Sequence, residues 1–456
     1  MKHKKQIKYK IHIKKIALIL FIFISQHVTA QQTKKISLQE AIQASLQNNK
    51  QLKASKARID AAIGQVKEAE DNRLPNFNVS SSYLRLNSAH VDVKSHSNNN
   101  SGSASGSGSS PKISQALYGI ANLSYPIYAG GRIKYAIESA KYLEEAIRLD
   151  ADHDREAVIL NTMNAYINLY KAGAAINVVK DNLESSRQRD ITFSRLEQNG
   201  ILARNDLLKT QLQTSNTELS LLDAENNLKL ANINMDLMLG LPENTELVID
   251  TTLFQQSTSI KNIDDYEQLA LQNRKDVQAI SFRKKAAATA IKSANTEGYP
   301  TIALTGGYIA AYVPNFVTIT NAINAGVGIQ YNLASLWKTN TKLQQAKARE
   351  NEIQANEEQL NDVIRVQVNQ DYQNYLLTHK RIEVYQKALE QATENYRITK
   401  NKYDNSLATI TELLDADVAL LQTKLNLAVS KADEVAAYYK LLYTSGVLNK
   451  TEERIK

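Results

Sequence analysis

The chain has 456 residues, 43% of them apolar and 22% charged, with only 6 Pro and 16 Gly; this excludes a disordered or collagen-like polymer and leaves room for two or three domains. Cysteine is absent, so disulfide frameworks, thiolate metal sites and cysteine nucleophiles are excluded. The formal charge of +8 is misleading, because residues 1–30 hold seven Lys and no acid; the remaining 48 basic and 47 acidic residues leave +1, and no nucleic acid partner is expected.

Seven lysines from Lys2 to Lys15 precede the apolar run Ile16 to Ile24, and the small-residue site Val28-Thr29-Ala30 follows. This is the pattern of a secretory signal peptide over residues 1–30, with cleavage before Gln31. The run is too short to span a bilayer, and no later stretch approaches the ~18 apolar residues of a membrane helix. With no cysteine at the cleavage site, lipid attachment there is excluded too.

Helical spacing of Leu38, Ala41, Ile42 and Leu46 predicts a helix over 38–73, stopped by Pro75. Alternation then takes over at Phe77, Val79, Ser81 and Tyr83, which reads as a strand. Residues 97–110 contain only Ser, Asn, Gly and one Ala, and form a flexible loop. His90, Asp92 and His96 lie just before it without a Cys/His or carboxylate framework, so a solvated loop is expected and no metal site. A second strand alternates through Leu117, Ala121, Leu123, Tyr125 and Ile127, with Asn122 and Ser124 between. Strands of about ten residues with one apolar and one polar or small face fit a transmembrane β-barrel, although a soluble half-buried hairpin looks similar. No Pro occurs from 127 to 241, so a long helical pair is predicted, turning near Asn199-Gly200. A helix over 132–198 would be on the order of 100 Å long at 1.5 Å per residue and must pack along its length as a coiled coil.

The pattern then repeats. A shift of 225 brings Leu46-Gln47-Asn48 onto Leu271-Gln272-Asn273, Pro75 onto Pro300 and Tyr83 onto Tyr308; a shift of 206 brings Tyr125 onto Tyr331, Leu207-Leu208 onto Leu413-Leu414 and Gly240 onto Gly446. The difference of 19 residues falls on the Ser/Gly loop. The second copy opens with a helix over 264–297, continues through strands marked by Ile302, Leu304, Gly306, Tyr308, Ala310, Tyr312 and by Ile323, Val327, Ile329, Tyr331, Leu333, and ends in a helical pair turning at Asn405-Ser406. Neither Gly nor Pro occurs from 329 to 445, and Ile410, Leu413, Leu414, Ala416-Asp417 and Leu420-Leu421 suit a coiled coil. The organisation is therefore a signal (1–30), a first repeat (31–240), a linker (241–263), a second repeat (264–446) and a tail (447–456). Two hairpins give four strands, which cannot close a barrel, and open edges cannot exist in lipid. Several chains must share one barrel; three would give twelve strands.

Ser37-Leu38-Gln39-Glu40-Ala41-Ile42, Leu46-Gln47-Asn48-Asn49, Arg73-Leu74-Pro75, Tyr125-Pro126-Ile127-Tyr128 before Gly130-Gly131-Arg132, and Lys402-Tyr403 to Leu413-Leu414-Asp415-Ala416 together resemble the outer-membrane efflux protein family, the TolC-like export ducts. The likeness covers the mature chain twice over. It implies a mainly α fold with β: a homotrimeric twelve-stranded barrel in outer membrane lipid, continued into the periplasm by a long α-helical coiled-coil barrel. Residues 241–263 and 447–456 would form an equatorial belt. It further implies a periplasmic membrane-fusion adaptor and an inner-membrane transporter as partners, for efflux or type I secretion, and no cofactor.

By the same resemblance, carboxylates ringing the pore gate fall on Glu412 and Asp415, and a polar lock on Asp206 and Tyr403. Glu412 and Asp415 are i and i+3 on one helical face, where six carboxylates of a trimer would repel and favour cations; an ordinary solvated stripe is the alternative. The family pattern places an arginine at 408, whereas this chain has Ala408; either Arg204 or Arg397 replaces it, or the resting state is looser. The turns at Gly200, Ile201, Leu202 and at Ser406, Leu407 would meet the adaptor, although any tight α-hairpin needs Gly or Asn there. Tyr83, Tyr125, Tyr128, Tyr308, Tyr312, Tyr331 and Trp337 are candidate interfacial aromatics. An enzyme finds little support, with four histidines after the signal, no phosphate-cradling loop and no nucleophile elbow. A secreted coiled-coil adaptor or scaffold without a pore is the second reading, but it would lack two equivalent hairpins between helical pairs; a passive porin would need more strands.

Overall fold

The computed structural model describes residues 33–90, 112–255, 260–314, 316–336 and 340–448. The signal segment, the Ser/Gly loop with Asp92 and His96, Trp337 and residues 449–456 lie outside these. In chain order the elements are β1 (Thr33–Ile36), α1 (Leu38–Asn48), α2 (Lys50–Asp71), β2 (Asn76–His90), β3 (Lys112–Tyr128), α3 (Arg132–Gln198) and α4 (Arg204–Leu239). Then follow β4 (Glu246–Ile249), α5 (Ile263–Asn273), α6 (Lys275–Asn295), β5 (Thr301–Val313), β6 (Val317–Gln330), α7 (Thr341–Asp404) and α8 (Ile410–Thr444). From α1 to α4 and from α5 to α8 the same six elements recur.

The predicted opening helix of each copy is broken once, at Asn49 and at Arg274, both with extended backbone (ψ 128° and 131°) and 225 residues apart. Asn49 stops α1 and starts α2, because its Oδ1 accepts from the N–H groups of Gln51 (2.8 Å) and Leu52 (3.2 Å). The strands, at 13 to 17 residues, exceed the expected ten, and β6 ends at Gln330, so Tyr331 lies beyond it and Leu333 begins a 3-10 turn.

Two compact units divide the chain. One contains the residues up to Ser55, Ala151–Lys275 and Asn361 onward; the other contains Lys56–Asp150 and Asp276–Leu360. In the first, β1 and β4 pair in parallel, Ile36 opposite Ile249. Ile36, Ala41, Ala165, Tyr166, Leu169, Met235, Leu239 and Leu247 form its core against them. Tyr166 is fully buried; its hydroxyl donates to the carbonyls of Ile36 (3.1 Å) and Asp250 (2.9 Å) and accepts from Asp250 N–H (2.8 Å), and burial pushes its phenol up to about 12. Helix α4 ends on Gly240 and the chain after α8 turns on Gly446, at φ 71° and 67°, each beside the last residues of a short helix: a Cβ on Gly240 would lie 2.9 Å from Asn48 Cβ, and one on Gly446 2.8 Å from Arg274 N.

The second unit carries an antiparallel sheet in the order β2-β3-β5-β6. Register places Phe77 opposite Leu123, Val79 opposite Ala121, Tyr83 opposite Leu117, Leu304 opposite both Tyr125 and Val327, and Tyr308 opposite Ala121 and Ile323. Because side chains alternate at every residue, these all share one face, while Asn78, Asn122, Gly307 and Asn324 share the other. The apolar face is uncovered: Phe77, Val79, Ile323, Val327 and Ile329 are all exposed. β2 and β6 are edge strands, each with its outer edge unpaired among the described residues. No helix among the described residues is long and apolar enough to cross a membrane.

Candidate gate and tip region

The long helices turn back through two matching loops. α3 closes with Gly200 N–H donating to Glu197 O (2.8 Å) and Ile201 N–H to Leu196 O (2.9 Å); α7 closes with Ser406 N–H to Tyr403 O (2.9 Å) and Leu407 N–H to Lys402 O (2.7 Å). Each is a Schellman cap, which needs a left-handed residue, and Gly200 (φ 71°) and Ser406 (φ 61°) supply it. The residue after such a cap usually folds back on its own helix. Here Ile201 and Leu407 instead point to solvent, 73% and 77% exposed. Leu202 turns inward, packed on Phe193, Leu207, Ile410, Leu413 and Leu414, the buried core that ties the two loops together.

Of the two residues expected from the sequence to ring a pore, Glu412 is committed to its own helix. Its carboxylate accepts from Thr409 N–H (2.6 Å) and Thr409 Oγ1 (3.0 Å), while Glu412 N–H donates to Thr409 Oγ1 (3.3 Å). This is a capping box, and the backbone N–H of Thr409, then its hydroxyl, hold the Glu412 carboxyl below its usual range. Ser37 and Glu40 make the same box at the start of α1. Asp415, one turn on, is exposed and makes no ion pair among the described residues.

Of the two residues expected to form a lock, Tyr403 joins the tip core, its ring 5.5 Å from that of Phe193, and burial followed by the Asp206 carboxylate pushes its phenol up. Asp206 accepts from Lys209 Nζ at 3.3 Å, and no hydrogen bond joins it to Tyr403 within the protomer. The substitutes suggested for the missing arginine stay local: Arg204 faces Glu197 at 3.6 Å and Arg397 pairs with Glu394 at 2.6 Å.

The strongest polar link was not legible in the sequence. Arg189 of α3 and Asp417 of α8 form an ion pair of 2.7 Å with side chains only 10% and 7% exposed. Arg189 also donates to Ser186 Oγ (3.0 Å), Asn182 donates to the other Asp417 oxygen (3.5 Å), and Arg189 Nε has no acceptor. Burial and the Asp417 carboxylate push the neighbouring Tyr396 phenol up. A second, half-exposed pair, Lys171 with Asp433, joins the same two helices farther along. Asp417 reads in the sequence as one member of an apolar pattern, and its partner lies 228 residues away. Among the described residues no cluster of His, Cys, Asp or Glu is placed to hold a metal ion.

The outer membrane protein VceC from Vibrio cholerae is 19% identical and superposes with a TM-score of 0.73 over 90% of this chain and 96% of that one. The CmeC outer membrane channel of Campylobacter jejuni is 18% identical, with a TM-score of 0.72 over 91% and 88%. The open state of the Neisseria gonorrhoeae MtrE outer membrane channel is 18% identical, with a TM-score of 0.69 over 90% and 89%. At these identities the likeness establishes the fold. A search of curated proteins by sequence returned no match. The outer membrane efflux protein profile matches residues 41–241 and 267–446, one segment in each repeat and most of the chain, and the chain belongs to that family.

Proposed function

We propose that three copies of this chain form one channel through the outer membrane, receiving substrate from a periplasmic adaptor and an inner-membrane transporter. The observation that carries this reading is the four-stranded sheet with a continuous uncovered apolar face and two unpaired edges, β2 and β6. In lipid each edge must find a strand, and pairing β6 of one copy with β2 of the next closes twelve strands after three copies. The helices support it. Leu208, Leu212, Leu219, Leu222, Leu230 and Leu237 of α4 are all exposed and fall within about 40° of one line at 100° per residue, a seam running the length of the helix that suits a neighbouring helix. A single-chain scaffold has no use for either surface, and the protein acts as a conduit rather than an enzyme.

Asp415 then carries the charge at the pore constriction, and Glu412 holds the start of α8. Ile201 and Leu407, on quasi-equivalent loops, are the residues offered to the adaptor, and Leu202 supports them from inside. The test is single-channel conductance of purified protein in a planar bilayer. Asp415→Ala lowers cation selectivity and block by millimolar divalent cation, whereas Glu412→Gln leaves selectivity intact. Well-folded protein that forms no pore overturns the channel, and unchanged selectivity in Asp415→Ala overturns the gate.

A further inference from the structure

The strand-bearing unit holds a cavity of about 450 Å³. It lies among the ends of α2 and α6 and the starts of α3 and α7, where helices give way to strands. Ala136, Ala140, Ala290, Ala294 and Ala346 line much of its wall. Its titratable groups are Arg132, Lys342, Glu297 and Tyr135. Lys342 donates to Glu297, while Arg132 makes no ion pair among the described residues, so the lining carries one net positive charge. The first turns of α3 and α7 contain Arg132, Lys134 and Lys342 and no acid, the reverse of what the positive end of a helix favours. A local rule broken twice at one place points to a use outside the fold.

The position of the cavity names the occupant. Exposed Tyr125, Tyr128, Tyr299 and Tyr331 lie at the helix-proximal end of the sheet, and Tyr299 lies close to the start of α3 that lines the cavity: a Cβ added to Gly130, two residues before Arg132, would lie 2.7 Å from Tyr299 Cβ. Tyr83 and Tyr312, both in register with Leu117, mark a second level eight residues from Tyr125 along β3. At about 3.3 Å per residue and a tilt of about 40° the two levels are roughly 20 Å apart, close to the ~25 Å band between the aromatic girdles of a membrane barrel. The cavity therefore sits at headgroup depth on the helix side. We propose that it seats the headgroup of an anionic phospholipid of the inner leaflet, its phosphate between Arg132 and Lys342 and its acyl chains on the uncovered apolar face of the strands. This rests on the sheet lying in the membrane.

The test is native mass spectrometry of the full protein in detergent, titrated with phosphatidylglycerol or phosphatidylcholine. Wild type retains phosphatidylglycerol at least fivefold better. Arg132→Ala/Lys342→Ala abolishes that preference, Lys134→Ala, two residues along α3 from Arg132 and outside the lining, keeps it, and Glu297→Gln, which removes the competing acid, strengthens it. Equal retention of the two lipids, loss as large in Lys134→Ala, or undiminished retention when Ala294→Trp fills the cavity would each overturn the proposal. Displacement by an equal concentration of inorganic phosphate would overturn the lipid assignment. Conductance of the same samples separates the two readings: lost lipid with an intact pore supports the site, and wild type that forms no pore and retains no lipid overturns both.

Discussion

Breaking the Arg189–Asp417 pair tests how α3 and α8 are held together. Both side chains are about nine-tenths out of water and 2.7 Å apart, so Asp417→Ala leaves a buried guanidinium with only the neutral hydroxyls of Ser186 and Tyr396 beside it. An uncompensated buried charge of this kind costs about 3–5 kcal/mol, most of it desolvation that the lost carboxylate no longer offsets. Replacing both partners by apolar side chains of similar size, Arg189→Met/Asp417→Leu, removes the charge together with its partner and returns stability to about the wild-type value or up to about 4 kcal/mol above it. Asp433→Ala is the internal control, because the Lys171–Asp433 pair joins the same helices but is 24% and 37% exposed, in the range where an ion pair contributes about 0–1 kcal/mol. Urea or thermal unfolding of wild type, Asp417→Ala, the single variants Arg189→Met and Asp417→Leu, the double variant and the control completes the cycle. An Asp417→Ala loss below about 1 kcal/mol, or a double variant as unstable as the sum of the singles, would refute the reasoning.

Asp236 of α4 is fully buried, with one oxygen accepting from Asn232 at 3.0 Å and the other unpartnered, and burial followed by nearby Glu243 raises its carboxyl from 3.8 to about 6. Below about pH 3 it is protonated folded and unfolded and adds nothing; as pH rises to about 6 the unfolded chain loses its proton first, and stability falls by up to about 3 kcal/mol. The advantage of Asp236→Asn over wild type should therefore grow by that amount between about pH 3 and about pH 8 in unfolding experiments, and a constant difference contradicts it. Ser406→Gly should stabilise by about 1 kcal/mol, since a side chain at φ 61° is strained, and differential scanning calorimetry reads this as a higher Tm. Gly446→Ala should cost more than Gly200→Ala in the same assay: the new Cβ meets the Arg274 backbone at 2.8 Å, whereas nothing lies within 4 Å at Gly200.

What the sequence discloses here is what depends on near neighbours. Period-two alternation places Phe77, Leu123, Leu304 and Val327 on one face without knowledge of the partner strand, and Gly/Pro-free runs announce α3 and α7 and the turns between the long helices. Asn49 and Arg274 break helices without Gly or Pro, and only an Asn reaching forward to its own backbone betrays the first. The Thr409-Ile410-Thr411-Glu412 pattern is equally local and spells a capping box, but reading Glu412 through a family's pore ring hides that simpler duty. Arg189 with Asp417, and Tyr166 with Asp250, are brought together only by the folded chain, and no spacing in the sequence announces them.

The two bare edges of the sheet bear on inheritance as well as on structure. In the trimer proposed above, each chain supplies one third of a closed wall and has no partial activity to offer, so a chain able to assemble but unable to open spoils every assembly it joins. When half the chains in a cell are of that kind and mixing is random, only about one trimer in eight is wholly intact. A blocked variant expressed beside the wild-type chain should therefore behave as dominant, while a variant that yields no chain should be nearly silent in the same cell.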